Sequence, residues 1–311
     1  MSSSINEGNN IMTEMFDSFL QKLDSEGLAH RTIQNYTATW NTFKRWMLRT
    51  DPNLQDAGLA TQKDIADFKR YLNDFGGKGG RPAMPATTNK YFVQLNAIFK
   101  YFAEQGFIPD NPVGPIKKPP AARRTPKWLN RNEQNAFLRE VRKSGSKRDY
   151  AIIVLMLQAG LRVHEVCELL KTELRINPRS GVAYVRGKGH KDREVPLNVD
   201  VRSALESYLK DEPADNRYVF RSQRSEKLSV RAVQHMVEKY RDRVKIKHLS
   251  CHSLRHSFGH DLVLAKVDLQ RVATLMGHFK EDGTPNTAMT EIYTTPGVED
   301  LEAAVELISW T

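Results

Sequence analysis

Between Gly106 and Lys127 the chain runs GFIPDNPVGPIKKPPAARRTPK, and six of its 14 prolines fall inside this one stretch. Proline has no amide hydrogen to give and a fixed φ, so neither a helix nor a central strand can run through the segment. The 311 residues are therefore expected to form two separate cores joined by a stiff, extended connection, a division their number allows. The connection is also basic. Lys117, Lys118, Arg123 and Arg124 suit a strap laid along a phosphate backbone, although a plain spacer would carry the same prolines.

Charge divides the chain a second time. Residues 1 to 105 hold 12 basic and 11 acidic side chains, residues 106 to 280 hold 35 and 19, and the last 31 hold none and 7. A middle segment that basic is an electrostatic footprint for an anionic polymer, and nucleic acid is the natural partner. Cys167 and Cys251 give neither a disulfide framework nor a four-ligand zinc site. No stretch has the apolar length of a membrane span and MSSSINEGNN is no signal pattern, so the expected setting is the cytoplasm or nucleoid.

Ahead of the prolines the apolar residues recur at helical spacing. Phe16, Leu20 and Leu23 begin one stripe; Ile33, Tyr36, Trp40, Phe43 and Met47 form another; Ile65, Phe68 and Leu72 a third; Phe92, Leu95, Phe99 and Phe102 a fourth. Four amphipathic helices make a small bundle whose aromatic faces are core. Contacts to nucleic acid would come from Thr32, Lys44, Arg45 and Lys90. The glycine cluster GGKGGRP lacks the spacing of a phosphate loop and reads as an interhelix turn.

Behind the prolines the pattern is mixed, mainly α with a small β-sheet. Glu133 to Val141 and the apolar run from Ala151 to Gly160 read as helices. A restart at Leu161 places Arg162 at a helix N-terminus with Glu165 three residues on, where a carboxylate can hold the guanidinium. GVAYVRGKGHKDREVPL reads as a hairpin with Lys188 at its tip between two glycines, and His190, Lys191 and Arg193 crowd the same turn, where Lys191 and Arg193 are candidate contacts to nucleic acid. In HSLRHSFGH, His252 and Arg255 lie one turn apart and would face a phosphate, with His256 and Phe258 packing inward. Imidazoles at His252, His256 and His260 could instead share a metal. No glutamate base lies between them, and Arg255 would repel a dication. Two arginines, a lysine and two histidines, the second being His278, could surround one phosphodiester, and Tyr293 could attack it with neither metal nor cofactor.

Taken in order, AGLRVHEVCEL, GKGHKDREVPL, HSLRHSF, LMGH and TEIYTTP resemble the boxes of the tyrosine recombinase family, also called the phage integrase family. The NYTATWNTFKRW stripe and the linker ending TPKWLNRNE are similar to that family too. The resemblance implies a four-helix SAM-like core-binding domain over 11 to 105 after a loose start at 1 to 10. It then implies the linker over 106 to 127, an α+β catalytic domain over 128 to 296 and a C-terminal helix over 297 to 311.

The resemblance also implies roles. Tyr293 would form a 3′-phosphotyrosyl link, Arg162 and Arg255 would bind the non-bridging oxygens, and Lys188 would protonate the departing 5′-oxygen. His252 would assist proton transfer at the tyrosine, His278 would contact the phosphate, and Glu165 would orient Arg162. The implied partner is double-stranded DNA with inverted half-sites, held two duplexes at a time by a homotetramer whose terminal helices, striped with Val298, Leu301, Val305 and Ile308, pack into neighbouring subunits. Few residues precede the first helix, which favours a simple recombinase of a mobile element, plasmid or chromosome over one with an arm-binding domain. Three rivals stand beside it: a topoisomerase of the same chemistry, a catalytically silent DNA-binding module, which would have to lack part of this constellation, and a metal enzyme, which a chelator would inhibit. Two departures stand out: His278 and Tyr293 are fifteen positions apart with FKEDGTPN between them, and Thr295 stands where a histidine is common.

Overall fold

The computed structural model describes residues 4–50, 60–115, 127–187, 192–213 and 215–308. Two compact units account for the chain, Met1–Arg123 and Arg124–Thr311. The division falls inside the proline-rich run, as its composition requires.

The first unit is α-helical: α1 (Ser4–Ser25), α2 (His30–Thr50), α3 (Gln62–Phe75) and α4 (Pro85–Glu104). Its ends follow local chemistry. Thr61 and Asp64 cap α3 reciprocally, the Thr61 N–H donating to Asp64 Oδ2 at 2.8 Å, and Pro85 opens α4 where a missing amide hydrogen costs nothing. The four apolar stripes meet as one aromatic core. The Trp40 ring stacks on Phe16 with centroids 5.2 Å apart and meets Phe102 edge-on at 5.7 Å, while Phe43 meets Phe68 edge-on at 5.0 Å. Such pairs add about 0.5–1.5 kcal/mol each beyond their buried area. The glycine cluster forms the expected turn between α3 and α4, closed by the Gly77 N–H donating to the Arg81 carbonyl at 2.7 Å.

The proline-rich segment does not run extended from its start. Ile108 and Val113 are buried in the helical core, and Asn111 ties the turn down by donating to Asn96 Oδ1 and accepting from the Val113 N–H, both at 3.0 Å. Prolines forbid a helix there, but they do not forbid a turn that lodges two apolar side chains. Lys117, Lys118, Arg123 and Arg124 lie outside the described residues.

The second unit carries α5 (Arg131–Lys143), α6 (Lys147–Gln158), α7 (Val163–Glu168), β1 (Leu174–Ile176), β2 (Gly181–Val185), β3 (Arg193–Pro196) and α8 (Val199–Leu209). After these come α9 (Val230–Val244), α10 (Cys251–Leu264), α11 (Leu269–Met276), α12 (Thr287–Thr290), a 3₁₀ turn (Glu291–Tyr293) and α13 (Val298–Glu306). Every residue of α6 from Ala151 to Leu157 is buried, so this helix is the axis of the unit. The strands form one antiparallel meander, β1-β2-β3, with Val185 opposite Arg193 and Ala183 opposite Val195. Strand β1 is too short for its alternation to show in the sequence. Among the described residues no helix is long and apolar enough to cross a membrane.

Candidate active site

Glu165 is the hub of the site. As the third residue of α7 it accepts the Arg162 N–H at 2.7 Å on Oε2 and the Arg162 Nη1 at 2.9 Å on Oε1. It also receives Arg193 on both oxygens, at 2.9 Å each, and the side chains of Arg193 and Glu165 are 3% and 2% exposed. Burial opposes ionisation of Glu165, but the Arg193 fork, the Arg162 N–H and the Arg255 charge outweigh it and bring the carboxyl down to about 2.

Arg193 thus departs from its expected place at a DNA-facing turn. It lies on the inward side of β3 with Val195, while Glu194 and Pro196 face out. Its Nε also donates to the Leu275 carbonyl at 3.1 Å. A Cβ at Gly277, whose φ is +63°, would stand 2.7 Å from Arg193 Nη1, so only glycine fits that helix end. Sequence alternation carried the signal, since Arg193 and Val195 are two apart on one strand.

Arg255 is buried on α10 and its guanidinium donates to the carbonyls of Gly160 and Met276. It lies 3.9 Å from Glu165 Oε2 and 3.4 Å from Nε2 of His278. Thr290 donates its single hydroxyl proton to the Asn286 carbonyl at 3.0 Å, so at 3.0 Å from His278 Nδ1 it accepts that ring's N–H. This leaves Nε2 bare toward Arg255. Burial and the charges of Arg255, Arg162 and Arg193 pull His278 down to about 3, which keeps it neutral.

Tyr293 ends the 3₁₀ turn and is 2% exposed. Its hydroxyl meets Nδ1 of His256 at 3.0 Å, its carbonyl accepts from Nδ1 of His260 at 3.3 Å, and its ring lies parallel to His278 with centroids 6.2 Å apart. A Cβ on Gly259 would come within 3.0 Å of the ring, so that glycine is what lets the tyrosine lie flat on α10. Burial raises the phenol's pKa, and the Arg255 and Arg162 charges work against that rise.

The fifteen positions between His278 and Tyr293 are shortened by a closed loop. Phe279 bridges Pro285, and the Asn286 N–H donates to the His278 carbonyl at 2.7 Å. FKEDGTPN therefore leaves and returns to the same place. His260, stacked on Trp128 with centroids 4.0 Å apart, also reaches Asp300 Oδ2 on α13 at 3.4 Å.

The fold brings Arg162, Glu165, Arg255, His278 and Tyr293 together. His252 is exposed, one turn before His256, and the two rings meet edge-on at 4.1 Å. His256, expected to pack inward, is half-buried and also touches the tyrosine oxygen; its place after Arg255 in a run of helix-core residues hid that contact. A groove of about 490 Å³ beside the site is lined by Arg162, His164, Arg231, Arg241, His252 and Arg255. Arg231 and Arg241 were not singled out in the sequence. Lys188 and Lys191 lie outside the described residues; of the residues on either side of them, the Gly187 N–H donates to Asp192 Oδ1 at 3.0 Å. Thr32, Lys44 and Arg45 lie on α2 and Lys90 on α4, where Lys90 donates to Asn35 Oδ1 at 2.9 Å.

Comparison with known proteins gives a consistent picture. Residues 127–298 match the phage integrase family and residues 11–118 match the phage integrase SAM-like domain. Tyrosine recombinase XerA of Thermococcus onnurineus is 34% identical over 299 residues, covering 95% of each chain. XerA of Thermococcus kodakarensis is 30% identical over 297 residues, covering 94% of each. Among solved structures, XerH bound to its difH substrate in a pre-cleavage complex superposes with a TM-score of 0.68 at 22% identity, over 94% of this chain and 84% of that one. A lambda integrase dimer bound to a COC′ core site gives 0.69 at 18% identity, over 91% and 76%.

Proposed function

Because the chain belongs to the phage integrase family and is a tyrosine recombinase acting in site-specific DNA recombination, we propose that its own residues divide the reaction as follows. Tyr293 Oη attacks the scissile phosphorus and becomes linked to the 3′ side while the 5′-oxygen leaves. Arg162 and Arg255 hold the two non-bridging oxygens and offset the charge that grows on them in the transition state. Glu165 and Arg193 lock those guanidinia from behind. His278 offers its Nε2 edge at Arg255, and His252 serves proton transfer from the exposed side. Lys188 protonates the leaving 5′-oxygen.

The observation that carries this reading is the convergence of a tyrosine hydroxyl, two arginines and a neutral histidine within one subunit. It favours delivery of Tyr293 in cis. Bond energy stored in the phosphotyrosine makes rejoining independent of a nucleotide or a metal. Exchanging one pair of strands and then the other passes through a Holliday junction, and the reaction serves integration, excision or resolution of a DNA element.

The basic groove with Arg231 and Arg241 is the surface that receives double-stranded DNA, joined by Thr32, Lys44, Arg45 and Lys90 of the helical unit and by Lys117, Lys118, Arg123, Arg124 and Lys191. Two inverted half-sites bind two subunits, and two such sites pair as a tetramer. On α13, Leu301 and Val305 and the following Ile308 are 53%, 65% and 72% exposed; this acidic, apolar-faced helix supplies the link between subunits.

The decisive experiment uses a nicked suicide duplex built from the half-site that the protein itself selects out of randomised duplexes. Wild-type protein is expected to form a covalent adduct in EDTA, and Tyr293→Phe to form none. An adduct with the phenylalanine variant overturns the nucleophile.

A further inference from the structure

We propose that His256 is a further catalytic residue, the group that takes the proton from the Tyr293 hydroxyl as the phosphotyrosyl bond forms, with His252 passing that proton to and from solvent. The inference rests on the reading of Tyr293 as nucleophile, and it assigns to His256 a direct contact that His252 does not make. Nδ1 of His256 stands 3.0 Å from Tyr293 Oη, inside the reach a general base needs. No other hydrogen-bond partner holds that hydroxyl among the described residues.

Chemistry and surroundings favour the hydroxyl as donor. A phenol is a better proton donor than a neutral imidazole N–H, and an imidazole nitrogen is the better acceptor, so the O–H donates to Nδ1. His256 is neutral and ready to accept: burial, His252 and Arg255 hold it down to about 4. The groups that face it are His252 and Arg255 on its own helix, Tyr293 on the 3₁₀ turn, and His278 beyond the tyrosine ring; burial and the neighbouring arginines lower both histidines and favour their neutral forms, so the fixed charge among these groups is Arg255. Finally, the flat seat on Gly259 holds the phenol ring where its oxygen meets Nδ1.

The step balances within the site. The O–H bond of Tyr293 breaks as the O–P bond forms, and the proton moves to Nδ1 of His256. The P–O5′ bond breaks, and the leaving oxygen takes its proton from Lys188. In rejoining, the 5′-hydroxyl attacks phosphorus, its proton returns to the lysine, and the phenolate departs with the proton held at His256. The exposed His252 ring, edge-on with its centroid 4.1 Å from that of His256, lies between the half-buried imidazole and water and relays the proton between the two half-reactions.

Two experiments test the assignment. In the suicide-duplex assay, His256→Gln is expected to slow adduct formation about 100-fold at pH 7. Its rate should then climb about tenfold per pH unit as hydroxide replaces the missing base, while wild type stays level. A rate within threefold of wild type, or a loss that no rise in pH repairs, overturns the proposal. The second measurement needs neither a variant nor DNA. In ¹⁵N spectra of the wild-type protein at pH 7, Nδ1 of His256 is expected to carry no proton and Nε2 to carry one; a protonated Nδ1 would be donating to the tyrosine and ends the proposal. Failure of wild type itself to form an adduct would instead strike the function above, and the two failures are thereby distinguished.

Discussion

The site holds its two halves in different ways. Around Glu165 the arginines are gripped redundantly, two bonds from Arg193, two from Arg162 and a third guanidinium within 3.9 Å. Around Tyr293 each polar atom has a single partner, His256 for the hydroxyl and His260 for the carbonyl. The half that would bind phosphate is finished before any DNA arrives, whereas the half that would attack it is seated but loosely tied. Pre-organised charge stabilises a transition state without rearrangement, and a nucleophile that must form, hold and release a covalent bond is better held by contacts it can break.

The sharpest way to break that contrast is Glu165→Ala. Removing one member of a buried ion network leaves Arg193 and Arg255 uncompensated, and a loss of about 3–5 kcal/mol in urea unfolding is expected. A loss under about 1 kcal/mol would mean that the hub is no more rigid than a surface pair.

Acidification comes next and separates the halves by pH. Unfolded histidines take up protons near 6.5, but folded His256 does so only near 4 and His278 near 3, so their stability is full above 6.5 and drains as pH falls toward those values. Glu165 titrates at 4.5 when unfolded and about 2 when folded, so its share is complete above 4.5 and lost toward 2. Melting temperature should thus fall in two stages, and His256→Gln should flatten only the upper one.

Arg193→Lys is expected to cost about 1–3 kcal/mol, because an ammonium cannot span both oxygens of Glu165. It should slow adduct formation while leaving DNA affinity within a few-fold, as measured by gel shift. Gly259→Ala is the smallest in stability, about 1 kcal/mol by calorimetry, yet it lifts the tyrosine ring and should lower adduct formation about tenfold. Equal activity in Gly259→Ala would show that the flat seat is incidental.

These residues were unequally legible in the sequence. The four aromatic stripes and the apolar α6 follow from periodicity alone, because burial of one helical face is a local signal. The pairing of Arg162 with Glu165 was legible for the same reason, three residues apart on one helix. Arg193 was misplaced because charged residues at a turn are ordinarily solvated; the strand alternation with Val195 was the better guide. The contacts of Arg255 and His256 are with partners 95 and 37 positions away, Gly160 and Tyr293. No local pattern reports such distances. The burial of Ile108 and Val113 was hidden by their prolines, which report what a segment cannot form but not what it can pack against.

The loop that closes between His278 and Asn286 has a consequence for how Tyr293 is confined. Counted along the chain, Tyr293 is fifteen residues from His278; counted from the closure at Asn286, seven. Fully stretched, seven residues span about 25 Å, and much of that span is already wound into α12 and its 3₁₀ turn. On so short a leash a phenol that left its seat would explore a small volume, and a phosphate held at Arg255 would meet it at an effective concentration no free tyrosine could reach.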